Sequence, residues 1–227
     1  MINIFLRQCE NVGSVNNTER PWWFSKERCF LNLLSTKDNE TEITVMFDGL
    51  TIPVFLETDK VKIVNIVNGG SETKTFVAVL DHVLKQDFKD DEIIYFLEDD
   101  YVHLPNWQNI MKDGLLNIKA DYVTLYDHFD KYTSAYHNLS TQVLCSLTHW
   151  RTTPSTTNTY ACLFKTLKRD VDIHYKYSQI NERVSRDHEK FLELWKNGRT
   201  LISPIPGLST HCANGLLSPL VDWAHIT

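Results

Sequence analysis

Apolar and polar positions along this chain follow two different rhythms. In the first half the short apolar runs "INIFL" (2–6), "EITVMF" (42–47), "VKIVNIV" (61–67), "EIIYFL" (92–97) and "YVTLY" (122–126) are too short for helices and read as strands. Amphipathic stretches separate them. One helix is predicted over 26–34 and a longer one over 71–85, where Phe76, Val77, Leu80, Val83 and Leu84 recur at helical spacing. Ser71, following the Gly69-Gly70 turn, is the expected N-cap of the second. Pro105 suits a first helical turn, and Trp107, Ile110, Met111, Leu115 and Ile118 make the stripe of the helix after it. Such alternation predicts an α/β fold with a mostly parallel, Rossmann-like sheet flanked by helices.

The second half changes character. The stretch "STQVLCSLTHWRTTPSTTNTYACLF" (140–164) is rich in threonine and β-branched residues and predicts strands and loops. One helix is predicted over 186–197, closed by Gly198, with Val184, His188, Phe191, Leu192 and Trp195 on its buried stripe. A strand "TLISPIP" follows, and the tail "GLSTHCANGLLSPLVDW" reads as a loop. With no repeat or linker, residues 1–227 read as one domain. Residues 1–126 form a nucleotide-type half, and 127–227 a second lobe with a smaller sheet on the same core.

Composition narrows the function classes. Hydrophobic residues at 42% and charged residues at 23% belong to an ordinary soluble globular protein that folds throughout. The net charge of -6, with no Lys/Arg cluster, argues against a nucleic-acid partner, whose phosphates need a basic face. The N-terminal "MINIFLRQCENV" is too short and wrongly flanked for a signal peptide. No stretch approaches the roughly 18 apolar residues of a membrane span, so a cytoplasmic protein without an integral membrane segment is expected. Cys9, Cys29, Cys145, Cys162 and Cys212 are odd in number and lack a C-x-x-C pair; they are expected to be reduced and mostly buried. The N-x-S/T triplets at Asn16, Asn39 and Asn138 matter only in a secreted protein.

The stretch "YFLEDDYVHLPNW" (95–107) carries the strongest chemical signal: an apolar strand delivers Glu98, Asp99 and Asp100 to one spot before a helix starts. Ligands of open α/β sheets bind beyond the carboxyl ends of the strands, where this triplet lies. Adjacent carboxylates repel, so a site that keeps them ionised supplies a cation or hydrogen-bond donors. Hard oxygen ligands suit Mg²⁺ or Mn²⁺, which fills its other positions with water and substrate phosphates. The alternative is a solvated acidic turn.

The stretch "LEDDYVHLPNW" resembles the E-D-D form of the D-x-D motif of GT-A-fold glycosyltransferases, particularly the inverting, metal-dependent N-acetylglucosaminyltransferase type. The resemblance implies that Asp100 binds the metal, while Glu98 and Asp99 face a nucleotide-sugar, a UDP-sugar in the first instance. It implies too that Arg7, in "IFLRQCEN", contacts base or phosphate and that Asp48, in "VMFDG", accepts a hydrogen bond from the base. A surface salt bridge for Arg7 and an ordinary turn for Asp48 remain open alternatives. Lys74 is the charged candidate for a phosphate at the start of the 71–85 helix.

In "SRDHEKFLELW" the resemblance implies that Asp187 is the catalytic base that deprotonates the acceptor hydroxyl, with Glu189 as fallback. Acids in a first helical turn are also favoured for the helix dipole alone. It further implies that His211, in "LSTHCANG", is a second metal ligand; a structural histidine is the other possibility. Trp150, Arg151, Trp22 and Trp23 suit sugar stacking but equally suit core packing, and stay outside the catalytic assignment. The expected reaction is transfer of a sugar from a nucleoside-diphosphate donor to a hydroxyl acceptor, a glycan for instance, with inversion. Lacking the membrane anchor of Golgi members, the chain fits the cytoplasm of a bacterial or virus-infected cell. A sugar-nucleotide pyrophosphorylase is disfavoured because "RQCENVGSVNNTER" is a poor phosphate loop, and a carbohydrate- or nucleotide-binding module without turnover remains the non-enzymatic alternative.

Overall fold

The computed structural model describes residues 1–10, 19–66, 69–133, 143–178 and 184–226; Asn16 and Asn138 lie outside them. The strands are β1 (Ile2–Cys9), β2 (Thr41–Asp48), β3 (Lys62–Asn65), β4 (Ile93–Glu98), β5 (Tyr101–His103), β6 (Tyr122–Val123), β7 (Val143–Cys145), β8 (His149–Thr152), β9 (Tyr160–Leu163), β10 (Leu201–Ile205) and β11 (Ser209–His211). The helices are α1 (Lys26–Thr36), α2 (Glu72–Leu84), α3 (Trp107–Lys112), α4 (Phe164–Arg169), α5 (Val171–Tyr177) and α6 (Asp187–Lys196).

One nine-stranded sheet runs in the order β3-β2-β1-β4-β9-β6-β10-β8-β7, and β5 pairs with β11 in a separate two-stranded ribbon. From β3 to β4 all pairings are parallel; β9 runs antiparallel to both β4 and β6, and β6 is parallel to β10. The architecture is therefore mixed α/β. The smaller sheet differs from expectation: it joins a strand from each half of the chain, whereas the threonine-rich strands β7 and β8 extend the main sheet.

The period-two pleat explains why β4 is apolar throughout. Tyr95 and Leu97 point to a core shared with Phe30 and Leu33 of α1 and Trp107 and Met111 of α3. Ile94 and Phe96 point the other way, to Phe76, Leu80 and Val83 of α2, Leu167 of α4 and Phe191 and Leu194 of α6. A strand covered on both faces needs apolar residues at every position. Helix N-caps follow local chemistry: Ser25 and Ser71 each accept from an amide of the first turn, at 3.0 Å from Arg28 and 3.3 Å from Lys74.

Several local expectations are corrected. Pro105 precedes α3 rather than opening it, because Asn106 takes a left-handed φ of 69° at the cap. The helices α4 and α5 and the strands β5 and β11 were not legible as such, and the tail is tied down by the β11 pairing. The buried stripe of α6 is Lys190, Phe191 and Leu194; Val184 and Trp195 are 40% and 53% exposed. Of the expected stripe Phe191 is buried, and Lys190 and Leu194 take the other inner positions. The cysteines are free, with Cys29, Cys162 and Cys212 buried. Among the described residues no helix is long and apolar enough to cross a membrane.

Candidate functional site

The chain passes from β1 through α1 to β2 on one side, and from β3 through α2 back past β1 to β4 on the other, so the strand order reverses between β1 and β4. Crevices beyond the carboxyl ends of strands at such a reversal are where open α/β sheets take ligands. Arg7 and Glu98 are register partners there, and the Arg7 guanidinium bonds Glu98 Oε1 at 2.7 Å.

Each acid of the triplet meets a different set of partners. Glu98 receives Arg7 and, on Oε2, the Thr159 hydroxyl at 3.0 Å. Burial beside Asp100 and Glu72 pushes its carboxyl up to about 7 despite Arg7. Asp99 is bound by Lys26 Nζ at 2.7 Å, the Cys9 amide at 3.0 Å and Gln8 Nε2 at 3.1 Å, all on Oδ2. Burial and Asp100 raise its pKa against these donors. Asp100 Oδ2 receives Arg20 Nη1 and His211 Nε2, each at 2.9 Å. Burial opposes its ionisation, but His211 and Arg20 outweigh burial and hold it down at about 2. Its other oxygen, Oδ1, is buried without a hydrogen-bond partner.

The β5–β11 ribbon brings His211 to Asp100. Their positions are 111 residues apart, but Tyr101 and His211 are register partners and their rings stack at 5.3 Å. The Cys212 amide bonds the Asp100 carbonyl at 2.8 Å, fixing the tail against the triplet. Burial lowers the His211 pKa, but Asp100 and Glu98 overcome it and raise the imidazole above its ordinary value.

A second network lies on the α2 face. Arg7 Nη1 donates to the Glu72 carbonyl at 3.4 Å, and the Glu72 carboxylate accepts from Ser185 Oγ at 2.6 Å and Asn158 Nδ2 at 2.8 Å. Asn158 Oδ1 in turn accepts from the fully buried Lys190 Nζ at 2.5 Å. Asp187, the first residue of α6, accepts from the neighbouring His188 amide at 2.8 Å. Burial and Glu72 raise its carboxyl while Lys190 and Arg7 oppose them. Asp187 is thus within electrostatic reach of Arg7, the partner of Glu98, whereas Glu189 is exposed.

The remaining expected residues are placed differently. Asp48 ends β2, and its two oxygens accept from the amides of Gly69 at 3.2 Å and Gly70 at 3.1 Å. A Cβ at Gly69 would collide with that carboxylate, so glycine permits the approach. Lys74 is exposed on the first turn of α2, away from these contacts. Trp150 and Trp23 are core residues: Trp150 is fully buried and its indole bonds Asp113 at 3.2 Å. Arg151 is engaged by the buried Asp127, and Trp22 is 85% exposed.

Lys26, Arg20, Glu72, Ser185, Asn158 and Lys190 escaped the sequence reading. A cation such as Lys26 directly after an N-cap opposes the helix dipole, and that was the one available signal. Among the described residues, no group of three or more His, Cys, Asp or Glu is arranged to hold a metal. Asp100, with its orphaned oxygen, and His211 are two residues of the site whose chemistry could hold a metal. That suits Mg²⁺ or Mn²⁺, which takes few protein ligands, and not a closed structural zinc site. His211 already bonds Asp100 through Nε2, so a metal on that nitrogen would have to replace this bond and any proton in it.

No protein-family model matches the chain, and no curated protein matches it in sequence. Fold and site define it as an α/β protein with a charge-dense cluster at the carboxyl ends of the strands where its sheet order reverses.

Proposed function

We propose that this chain is a metal-dependent, GT-A-like glycosyltransferase that moves a sugar, from a UDP-sugar as first candidate, to a hydroxyl acceptor such as a glycan, with inversion. The observation that carries the reading is the meeting of Asp100 and His211 at 2.9 Å beside the β5–β11 ribbon, just past the carboxyl end of β4, with a buried carboxylate oxygen left over. Asp100 and His211 would hold Mn²⁺ or Mg²⁺. The chemistry supplied by that ion, when bound, is neutralisation of charge on the diphosphate leaving group. Asp99 Oδ1, not used by Lys26, Gln8 or Cys9, is an acceptor for a donor hydroxyl, and Arg7 holds Glu98 beside it. Asp187 would take the proton of the acceptor hydroxyl.

One observation favours a second reading, a nucleotide-binding module without turnover. Each acid already has a cation of its own, Arg7 for Glu98, Lys26 for Asp99 and Arg20 for Asp100.

Calorimetric titration of nucleoside diphosphates and their sugars, with and without Mn²⁺, tests both readings on the wild type and on Asp100→Ala. Metal-dependent binding of one nucleotide that disappears in Asp100→Ala, together with sugar transfer lost in Asp187→Asn, supports the transferase. Binding without transfer supports the module. Absence of any nucleotide binding overturns both.

A further inference from the structure

Lys190 is 0% exposed on α6, at a position outside the buried stripe that the sequence predicts for this helix. Its ammonium lies 4.7 Å from the ring centroids of Phe76 and Tyr160 and 5.1 Å from that of Phe191, and bonds Asn158 Oδ1 at 2.5 Å. Burying an ammonium is strongly unfavourable unless partners compensate, so its retention there calls for a reason. Three aromatic faces and one amide oxygen supply part of the compensation. The rest comes from charge: Asp187, one turn before it on the same helix, is its largest electrostatic support, followed by Glu72 and Glu98.

Asn158 leads onward from Lys190. Its Nδ2 bonds Glu72 Oε1 at 2.8 Å and also meets Ser185 Oγ, two residues before Asp187. Glu72 binds both the hydroxyl and the amide of Ser185, at 2.6 and 3.1 Å, and its backbone carbonyl takes Arg7. A continuous polar path therefore runs from Glu98 through Arg7, Glu72, Ser185 and Asn158 to Lys190. It touches the chain on both sides of Asp187, at Ser185 just before α6 and at Lys190 within it.

We propose that Lys190 and Glu72 are positioning residues for the Asp187 carboxylate, fixing the start of α6 against the crevice that holds the acidic triplet. The proposal deepens the transferase reading and rests on it for the role of Asp187. Asp187 is faced by Lys190 from its own helix, Glu72 from α2, Arg7 from β1 and the Tyr160 phenol from β9. Lys190 is faced in addition by His174 of α5 and Cys162 of β9. The two positioning groups act on Asp187 with opposite sign: the lysine favours its ionised form and the glutamate disfavours it. A group that merely filled space would do neither.

Carboxyl-carbon NMR of Asp187 against pH, on the full chain without substrate, reads this directly. Lys190→Met, whose flexible thioether suits an aromatic cage, should move the Asp187 midpoint up by about one pH unit. Glu72→Gln should move it down by roughly half a unit to one unit. In turnover, Lys190→Met should carry the acid limb of kcat upward while KM for the donor stays within about twofold. Shifts in the same direction, or none in either variant, overturn the proposal. If Lys190→Met does not fold, Glu72→Gln decides alone, and an unmoved midpoint there is the refuting result. Opposite shifts in a protein that transfers no sugar would overturn the transferase reading and keep the positioning; transfer without the shifts would do the reverse.

Discussion

The two edges of the main sheet both carry charge, in opposite styles. At the amino edge Asp170 receives Arg199 Nη2 at 2.8 Å, Arg169 Nη2 at 2.9 Å and the Tyr122 hydroxyl at 2.9 Å, and no atom of the cluster is left orphaned. Here one carboxylate answers two guanidinium groups. At the carboxyl edge three tandem carboxylates share the crevice with single cations, and Asp100 Oδ1, Gln8 Oε1, Arg7 Nε and Arg20 Nε are buried without partners. A satisfied cluster joins elements; an unsatisfied one of the same charge density leaves bonds for something else to make. On the proposed function, the amino edge is scaffold and the carboxyl edge is where the ligand would bind.

Substitutions at the two edges should therefore separate stability from function. The largest effect is expected for Asp187→Asn: kcat for sugar transfer falls by about 10²–10⁴-fold with nucleotide affinity retained, checked by steady-state kinetics beside calorimetry. Asp100→Ala should weaken Mn²⁺-dependent nucleotide binding by about 100-fold or more, because even outer-shell partners of a metal are worth ~10–100-fold. Its chemical-denaturation midpoint should change little by comparison.

Asp170→Asn should do the opposite. Asp170 is buried but its partners Arg169 and Arg199 are 42% and 25% exposed, so losing the charge should cost about 1–3 kcal/mol of unfolding free energy, with nucleotide binding per folded molecule unchanged. The pH dependence follows from sign. Burial alone would raise the Asp170 carboxyl, but Arg169, Arg199 and Tyr122 hold it down at about 2. Its contribution is therefore complete above the unfolded value of about 3.9 and lost as pH falls through about 2. Acid unfolding of the wild type should show this loss and Asp170→Asn should lack it. The smallest effect is expected for Lys74→Ala: an exposed cation is worth no more than about 1 kcal/mol, so nucleotide affinity should change by less than about 5-fold. A larger loss would place the phosphates of the proposed donor nearer α2 than a metal held by Asp100 and His211 would.

Legibility followed the same division. The acids Glu98 to Asp100 stood out because charge ended an apolar strand, and the reversal of strand order put that end in the crevice. Arg7 was visible for the same reason at the end of "INIFLRQ". The pleat likewise made β4 and α2 readable, since each repeats its apolar residues at its own period. Helices α4 and α5 were hidden because they are short and adjoin, with the buried polar residues Asp170 and His174 where apolar ones were looked for. Glu72 was masked as an acid in a first helical turn, a place that favours acids without any function. Lys190 was masked more completely, as lysine on a helix ordinarily faces water.

What the sequence by itself determined is local: the periods of its strands and helices, the serine caps, and the delivery of three carboxylates to the end of one strand. These depend on neighbours a few residues apart, whose geometry the backbone repeats. The tertiary structure alone decided which distant groups meet those carboxylates. Pairing of β5 with β11 brought His211 to Asp100, and the packing of α6 on α2 turned Lys190 inward to Asn158. Such choices are settled by burial and charge compensation summed over the whole fold, so no short stretch of the chain contains them.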